Sequence, residues 1–175
     1  MTSVLDRVCE RLRERHVEAV VIGATALAWF GVSRSTIDID LLVVDHAVLA
    51  TGFWDGLQGV DVEVRRGDAD DPLAGVVRCR RPGHRPVDLV VGRHAWMRDI
   101  VERTTGADRG SPPTVEAADL VCLKLFAGGF QDLNDIAQLR AVLGGPLDQQ
   151  VQERLRGLPA EMARLWARVT SAQAT

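Results

Sequence analysis

The chain has 175 residues, 46% of them hydrophobic and 26% charged, with a formal net charge of −3. That balance suits one globular core with a small helical appendage, and it excludes a global basic field for nucleic acid, leaving only a local patch. Cys9, Cys79 and Cys122 are widely spaced and form no CxxC pair, so they read as reduced thiols rather than a disulfide framework or a zinc site. The amino terminus lacks the apolar segment of a signal peptide. The longest apolar run, "AVVIGATALAWF", falls short of the roughly 20 residues a membrane helix needs, so a cytoplasmic protein without a membrane span is expected.

In chain order, Val4, Val8 and Leu12 repeat at helical spacing and predict a helix over 3–15. "EAVVIG" (18–23) reads as a short buried strand, followed at once by a helix over 24–31 that ends at Gly31. "TIDIDLLVV" (36–44) is a second strand. A weak helix is expected over 45–59, interrupted by Gly52. "VDVEVRR" (60–66) alternates as a half-buried strand does, and "GVVRCRR" (75–81) and "RPVDLVVG" (85–92) flank the turn signal "PGH" as a hairpin. After residue 92 the period becomes helical: 93–104, 114–129, 132–145 and 147–169, with 103–113 as a linker. The fold class is therefore α+β, with α/β layering: a small mixed sheet of about 4–5 strands, from this element pattern, followed by a C-terminal helical region. The expected division is 1–104 and 105–175.

The chemistry sits in "RSTIDIDLLVV" (34–44). Side chains alternate along a strand, so Ile37, Ile39, Leu41 and Val43 share one side and Asp38 and Asp40 the other, with the two carboxylates about 7 Å apart. Like charges on a partly buried surface are costly unless something cationic sits between them; a hard divalent cation bound by oxygen is one solution, and a solvated sheet face is the other. The strand before them ends in Gly23-Ala24 and runs into a helix, where glycine lets a phosphate approach the backbone and the helix start supplies N–H groups. A third carboxylate, Asp88, lies in "PVDLVV". If strands 36–44 and 86–91 are neighbours, three acids converge, as two-metal phosphoryl chemistry requires.

"VVIGATALAWFGVSRSTIDIDLLVV" resembles the signature of the DNA polymerase β-like nucleotidyltransferases, in which a Gly-Gly or Gly-Ser opens a helix and an Asp-x-Asp follows. The Arg-x-Thr-x-Asp-x-Asp form looks most like the minimal and AbiEii-like nucleotidyltransferases, many of them in toxin–antitoxin pairs. "AADLVCLKLFAGGFQDLNDIAQL" resembles their later segment, an LKL helix followed by an acidic pair. The resemblance spans about residues 18–140 and departs at Ala24, where relatives carry glycine or serine, and at 128–130, where relatives often carry a basic residue.

The resemblance implies the nucleotidyltransferase fold, with the helical region completing the site, and Asp38, Asp40 and Asp88 as ligands of Mg2+. Gly23, Ala24, Arg34 and Thr36 would bind the nucleotide together with Lys124, the only lysine among 21 basic residues. Asp132 and Asp135, at i and i+3, share a helical face and could complete the site. Each has a plain structural alternative: Asp88 as an exposed aspartate at a strand edge, Lys124 as a snorkelling lysine, Arg34 as a solvated loop arginine, Asp132 as a helix N-cap. The arginines at 78, 80, 81, 85 and 93 cluster around the hairpin as an RNA-binding patch or simply a polar surface. His16, His46, His84 and His94 lack metal-ligand spacing. The expected activity is transfer of an NMP from an NTP to an acceptor. By resemblance the acceptor is tRNA and the partner a cognate antitoxin; the alternatives are an antibiotic-like small molecule, a protein that becomes AMPylated, or an inactive binding module.

Overall fold

The computed structural model describes residues 2–105 and 112–171. Part of the expected linker over 103–113 falls outside those residues. The chain divides into two compact units, one of residues 1–25 with 35–114 and the other of 26–34 with 115–175.

The first unit is built on a five-stranded mixed sheet in the order β1-β2-β5-β4-β3, where β1 is Val20–Val21, β2 Ile39–Val43, β3 Asp61–Arg66, β4 Leu73–Arg80 and β5 Val87–Gly92. β2 and β5 run parallel, and the other neighbours are antiparallel. The expected hairpin is present: β4 and β5 pair across a turn closed by His84 N–H donating to Arg81 O at 3.1 Å. Leu41, Val43, Val77, Val87, Leu89 and Val91 are fully buried. Helix α1 (Val4–Glu14) turns Val4, Val8 and Leu12 inward and packs on β4 and β5, while α3 (Ala95–Thr105) packs on β1 and β2. The start of α1 is fixed by Ser3 Oγ accepting from Asp6 N–H at 3.1 Å and the Asp6 carboxylate accepting from Ser3 N–H at 2.9 Å.

Between β2 and β3 the weak helix expected over 45–59 is instead two 3₁₀ turns, His46–Leu49 and Thr51–Trp54. Asp45 caps the first through Ala47 N–H at 2.8 Å, and Trp54 Nε1 donates to Val48 O at 2.8 Å, which locks the short turns around Trp54. β2 is also shorter than 36–44. Ile37 lies outside it and is 77% exposed, so it does not join the apolar face of Ile39, Leu41 and Val43.

The second unit is helical. α2 (Gly23–Trp29) contributes its later residues, followed by α4 (Ala117–Ala127), α5 (Phe130–Leu143), α6 (Gly145–Leu155) and α7 (Ala160–Ser171). α4 is apolar nearly all round, as a helix at the centre of a bundle must be, and it packs against α5, α6 and α7. Arg154 on α6 binds Asp119 at 3.1 Å and Glu116 at 2.8 Å. The single helix expected over 147–169 is two helices, because Gly157 and Pro159 interrupt it. The longest described helix has 14 residues, and no described helix is long and apolar enough to cross a membrane.

Candidate catalytic site

Strand register assembles the acids. β2 and β5 are neighbours, and Asp40 on β2 is the direct partner of Asp88 on β5. Partners on adjacent strands project to the same face about 4.8 Å apart, so the two acids leave the sheet from neighbouring positions. Asp88 is in turn the partner of Arg78 on β4, giving one transverse row, Arg78–Asp88–Asp40, across three strands. The flanking rows, Ile39 with Val87 and Leu41 with Leu89, point to the other face and are buried. Asp38 precedes β2 by one residue and is half-buried. Its position is fixed through the backbone: Thr36 Oγ1 donates to Asp38 O at 3.2 Å, and Arg85 donates to Ile37 O at 3.3 Å and Asp38 O at 3.1 Å.

Gly23 forms the floor beside this row. Its φ is +64°, a left-handed conformation, and a β-carbon built on it would stand 2.1 Å from Asp40 Oδ2 and 2.8 Å from its Cγ. Only glycine meets both conditions. Ile22 N–H donates to Asp40 O at 2.9 Å, so the peptide before Gly23 is fixed on the same residue. Ala24 is 3% exposed, its methyl packed inward.

The cation that balances Asp88 is Arg78. Its Nε lies 2.8 and 3.0 Å from the two carboxylate oxygens, and Nη2 closes a second bond to Oδ2. Hydrogen bonding to Asp88, its charge and the charge of Asp38 raise the Arg78 guanidinium above its ordinary value, against a smaller opposing effect of burial. Asp88 is buried rather than an exposed strand-edge aspartate. Arg78 therefore belongs to the acidic row, not to a free basic patch. Arg85 and Arg93 are likewise committed: Arg85 to the carbonyls before β2, and Arg93 to the carbonyls of Ala69, Asp68 and Leu73 at 2.6, 2.7 and 2.9 Å.

Asp38 and Asp40 offer oxygen ligands two residues apart, and magnesium commonly takes one or two protein carboxylates and keeps several waters. Both oxygens of Asp88 accept from Arg78, so as a third ligand it would have to share them between the guanidinium and a cation. Among the described residues no group of three or more His, Cys, Asp and Glu side chains is disposed to hold a metal ion.

The second unit holds a charged cluster of its own. Lys124 is 5% exposed, so it does not snorkel; its Nζ donates to Asp135 Oδ2 at 2.6 Å and Asp132 Oδ1 at 3.2 Å. Asp135 is fully buried and also accepts from Arg34 Nη1 at 2.9 Å and Gln131 Nε2 at 2.9 Å. Arg34 is thus an ion-paired residue. Burial pushes the Asp135 carboxyl up, but hydrogen bonds from Lys124 and Gln131 and the charges of Lys124 and Arg34 outweigh it and hold the group below its ordinary value. Asp132 is not the N-cap of α5; that position is Gly129, whose N–H donates to Asp132 Oδ2 at 3.2 Å.

Sequence reasoning placed Arg78 in a surface patch and missed its pairing. The signal was present, since positions 78 and 88 lie equally far from Gly83 in the hairpin turn and must face one another in an undisturbed antiparallel register.

No family model matches this sequence, and no curated protein matches it significantly. Solved structures do match. The solution structure of the antibiotic-resistance factor ANT(2'')-Ia aligns over 98% of this chain and 94% of that one, with 12% identity and a TM-score of 0.54. An antigenic nucleotidyltransferase-like protein from Paracoccidioides brasiliensis aligns over 95% and 90%, with 18% identity and a TM-score of 0.48. A crystal structure of ANT(2'')-Ia in complex with adenylyl-2''-tobramycin aligns over 95% of both chains, with 14% identity and a TM-score of 0.44. The chain has an α+β fold of the nucleotidyltransferase kind.

Proposed function

We propose that this protein is a magnesium-dependent nucleotidyltransferase whose metal ligands are Asp38 and Asp40. The observation that supports this most is the close fit of the Asp40 carboxylate over Gly23, where the absence of a β-carbon lets an acid sit directly on the start of α2. In the reaction, an acceptor hydroxyl oxygen forms a bond to the α-phosphorus of an NTP, the bond from that phosphorus to the bridging oxygen of the β-phosphate breaks, pyrophosphate leaves, and the hydroxyl proton passes to solvent. Bound magnesium would neutralise triphosphate charge and favour the deprotonated acceptor. Asp38 and Asp40 hold that charge in place, Gly23 leaves room for the Asp40 carboxylate, and Thr36 and Arg85 keep the segment before β2 in position. For Lys124 and Arg34 to bind nucleotide, they would have to exchange Asp132 and Asp135 for phosphate oxygens.

The motif resemblance supports tRNA as the acceptor and a toxin–antitoxin setting with a cognate antitoxin, in the cytoplasm. A second assignment, a small hydroxyl-bearing acceptor such as an antibiotic, is favoured by a specific observation: Arg85 and Arg93, two arginines of the would-be RNA patch, are bound to backbone carbonyls. The near full-length fold match to an antibiotic-resistance factor agrees with it. Incubation with labelled NTPs and magnesium, given either total tRNA or a panel of aminoglycosides, separates the two. Label in RNA supports the toxin assignment, label in the small molecule supports the other, and label in neither removes both.

A further inference from the structure

Asp88 stands where a third metal carboxylate is expected, yet both its oxygens are taken by the Nε and Nη2 edge of Arg78. A guanidinium has five N–H donors on a rigid planar fork. With one edge locked on Asp88, the Nη1 side makes no hydrogen bond to any described residue. The Arg78 side chain is 37% exposed, whereas that of Asp88 is only 9% exposed. Arg78 also lines a groove of about 370 Å³ along β3 and β4, together with Arg65, Arg66, Asp71 and Glu63, the last being its cross-strand partner. A bidentate pair fixes orientation as well as charge, so the Nη1 side of Arg78 is held in one direction.

We propose that Asp88 is a positioning residue for Arg78 and not a metal ligand, and that the open edge of Arg78 receives a phosphate oxygen of the nucleotide. The inference rests on the nucleotidyltransferase assignment and specifies how its site divides the work. Two carboxylates, Asp38 and Asp40, hold the cation. The third carboxylate is spent on aiming an arginine. Because Arg78 is fixed before any ligand arrives, little side-chain entropy is lost when the anion binds.

The test is calorimetry on the full chain with two probes, Mn2+ alone and inorganic tripolyphosphate in the presence of Mn2+, alongside thermal unfolding of each variant. Asp88→Asn should leave Mn2+ affinity within about threefold while weakening tripolyphosphate by roughly 10-fold or more, the value of one charge-assisted hydrogen bond. Arg78→Met should weaken tripolyphosphate similarly and leave Mn2+ bound at least as tightly as wild type, because a cation has been removed from beside the acids. Arg78→Lys should restore part of the tripolyphosphate affinity. A 10-fold loss of Mn2+ affinity in folded Asp88→Asn overturns the proposal, as does unchanged tripolyphosphate affinity in Arg78→Met, which decides the matter if Asp88→Asn does not fold. Wild type that binds no Mn2+ overturns the nucleotidyltransferase assignment as well, whereas wild-type binding that is lost in Asp88→Asn overturns this inference alone.

Discussion

Asp40 Oδ2 occupies the space that a side chain at Gly23 would need, with only 2.1 Å between that oxygen and the position of a β-carbon. The glycine and the acid are therefore a matched pair, and the acid's position depends on the missing methyl. Gly23→Ala should force Asp40 aside and add the strain of a positive φ, of order 1 kcal/mol. The expected outcome is a modest fall in melting temperature with a disproportionate loss of Mn2+ binding. A variant with wild-type Mn2+ affinity would show that Asp40 can move without consequence.

Lys124 and Asp135 are a buried ion pair, so removal of one partner strands the other. Lys124→Met should destabilise the protein by about 3–5 kcal/mol, because a fully buried carboxylate loses its closest cation. The double variant Lys124→Met with Asp135→Leu should be less destabilised than that single change. Urea unfolding of the two variants checks the order, and the reverse order would mean that Arg34 and Gln131 satisfy Asp135 without the lysine.

The same carboxylate gives a pH dependence. Its folded pKa lies below the ordinary value of 3.8, so the native state binds fewer protons than the unfolded chain as pH falls through that range. The contribution is fully present above the unfolded value and is lost progressively as pH drops from there through the folded value. Asp135→Asn should flatten this acid limb relative to wild type when stability is followed below about pH 5. An acid limb of unchanged slope would assign it to other groups.

Two thiols should be inert in the native state. Burial, with the charges of Asp88 and Asp61, pushes Cys79 up to about 12, and burial pushes Cys9 up to about 11. At pH 8 the reactive thiolate is therefore scarce at both positions. Maleimide labelling followed by mass spectrometry should modify Cys79 only under denaturing conditions. Rapid native labelling of Cys79 would indicate that β4 opens locally.

The sheet was legible because its strands carry strong signals. Alternation in 61–66, the turn at 82–84 and the apolar run of 87–91 are local patterns, and the hairpin they predict is present. Where the sequence misled, a contact distant in the chain or a small turn decided the outcome. Trp54 reaching back to Val48 O made 3₁₀ turns of an expected helix, and Gly157 with Pro159 divided another. Strand alternation and the glycine before a helix draw attention to Asp38, Asp40 and Gly23, but it is the register that sets Asp40 opposite Asp88. Arg78 could not be recognised by residue type, since nothing distinguishes it from Arg80 or Arg81 until strand register sets it opposite Asp88. Lys124 stood out as the only lysine, but its burial against Asp135 depends on the packing of α4 against α5.

The most direct measurement of nucleotidyl transfer places the label on one phosphate at a time. With magnesium and an acceptor, wild type should move label from the α-position of an NTP into the product and release label from the γ-position as pyrophosphate, and Asp40→Asn should reduce both by about 100-fold or more. Release of γ-label as inorganic phosphate with no α-label transferred, or equal transfer by the folded Asp40→Asn protein, would contradict the assignment.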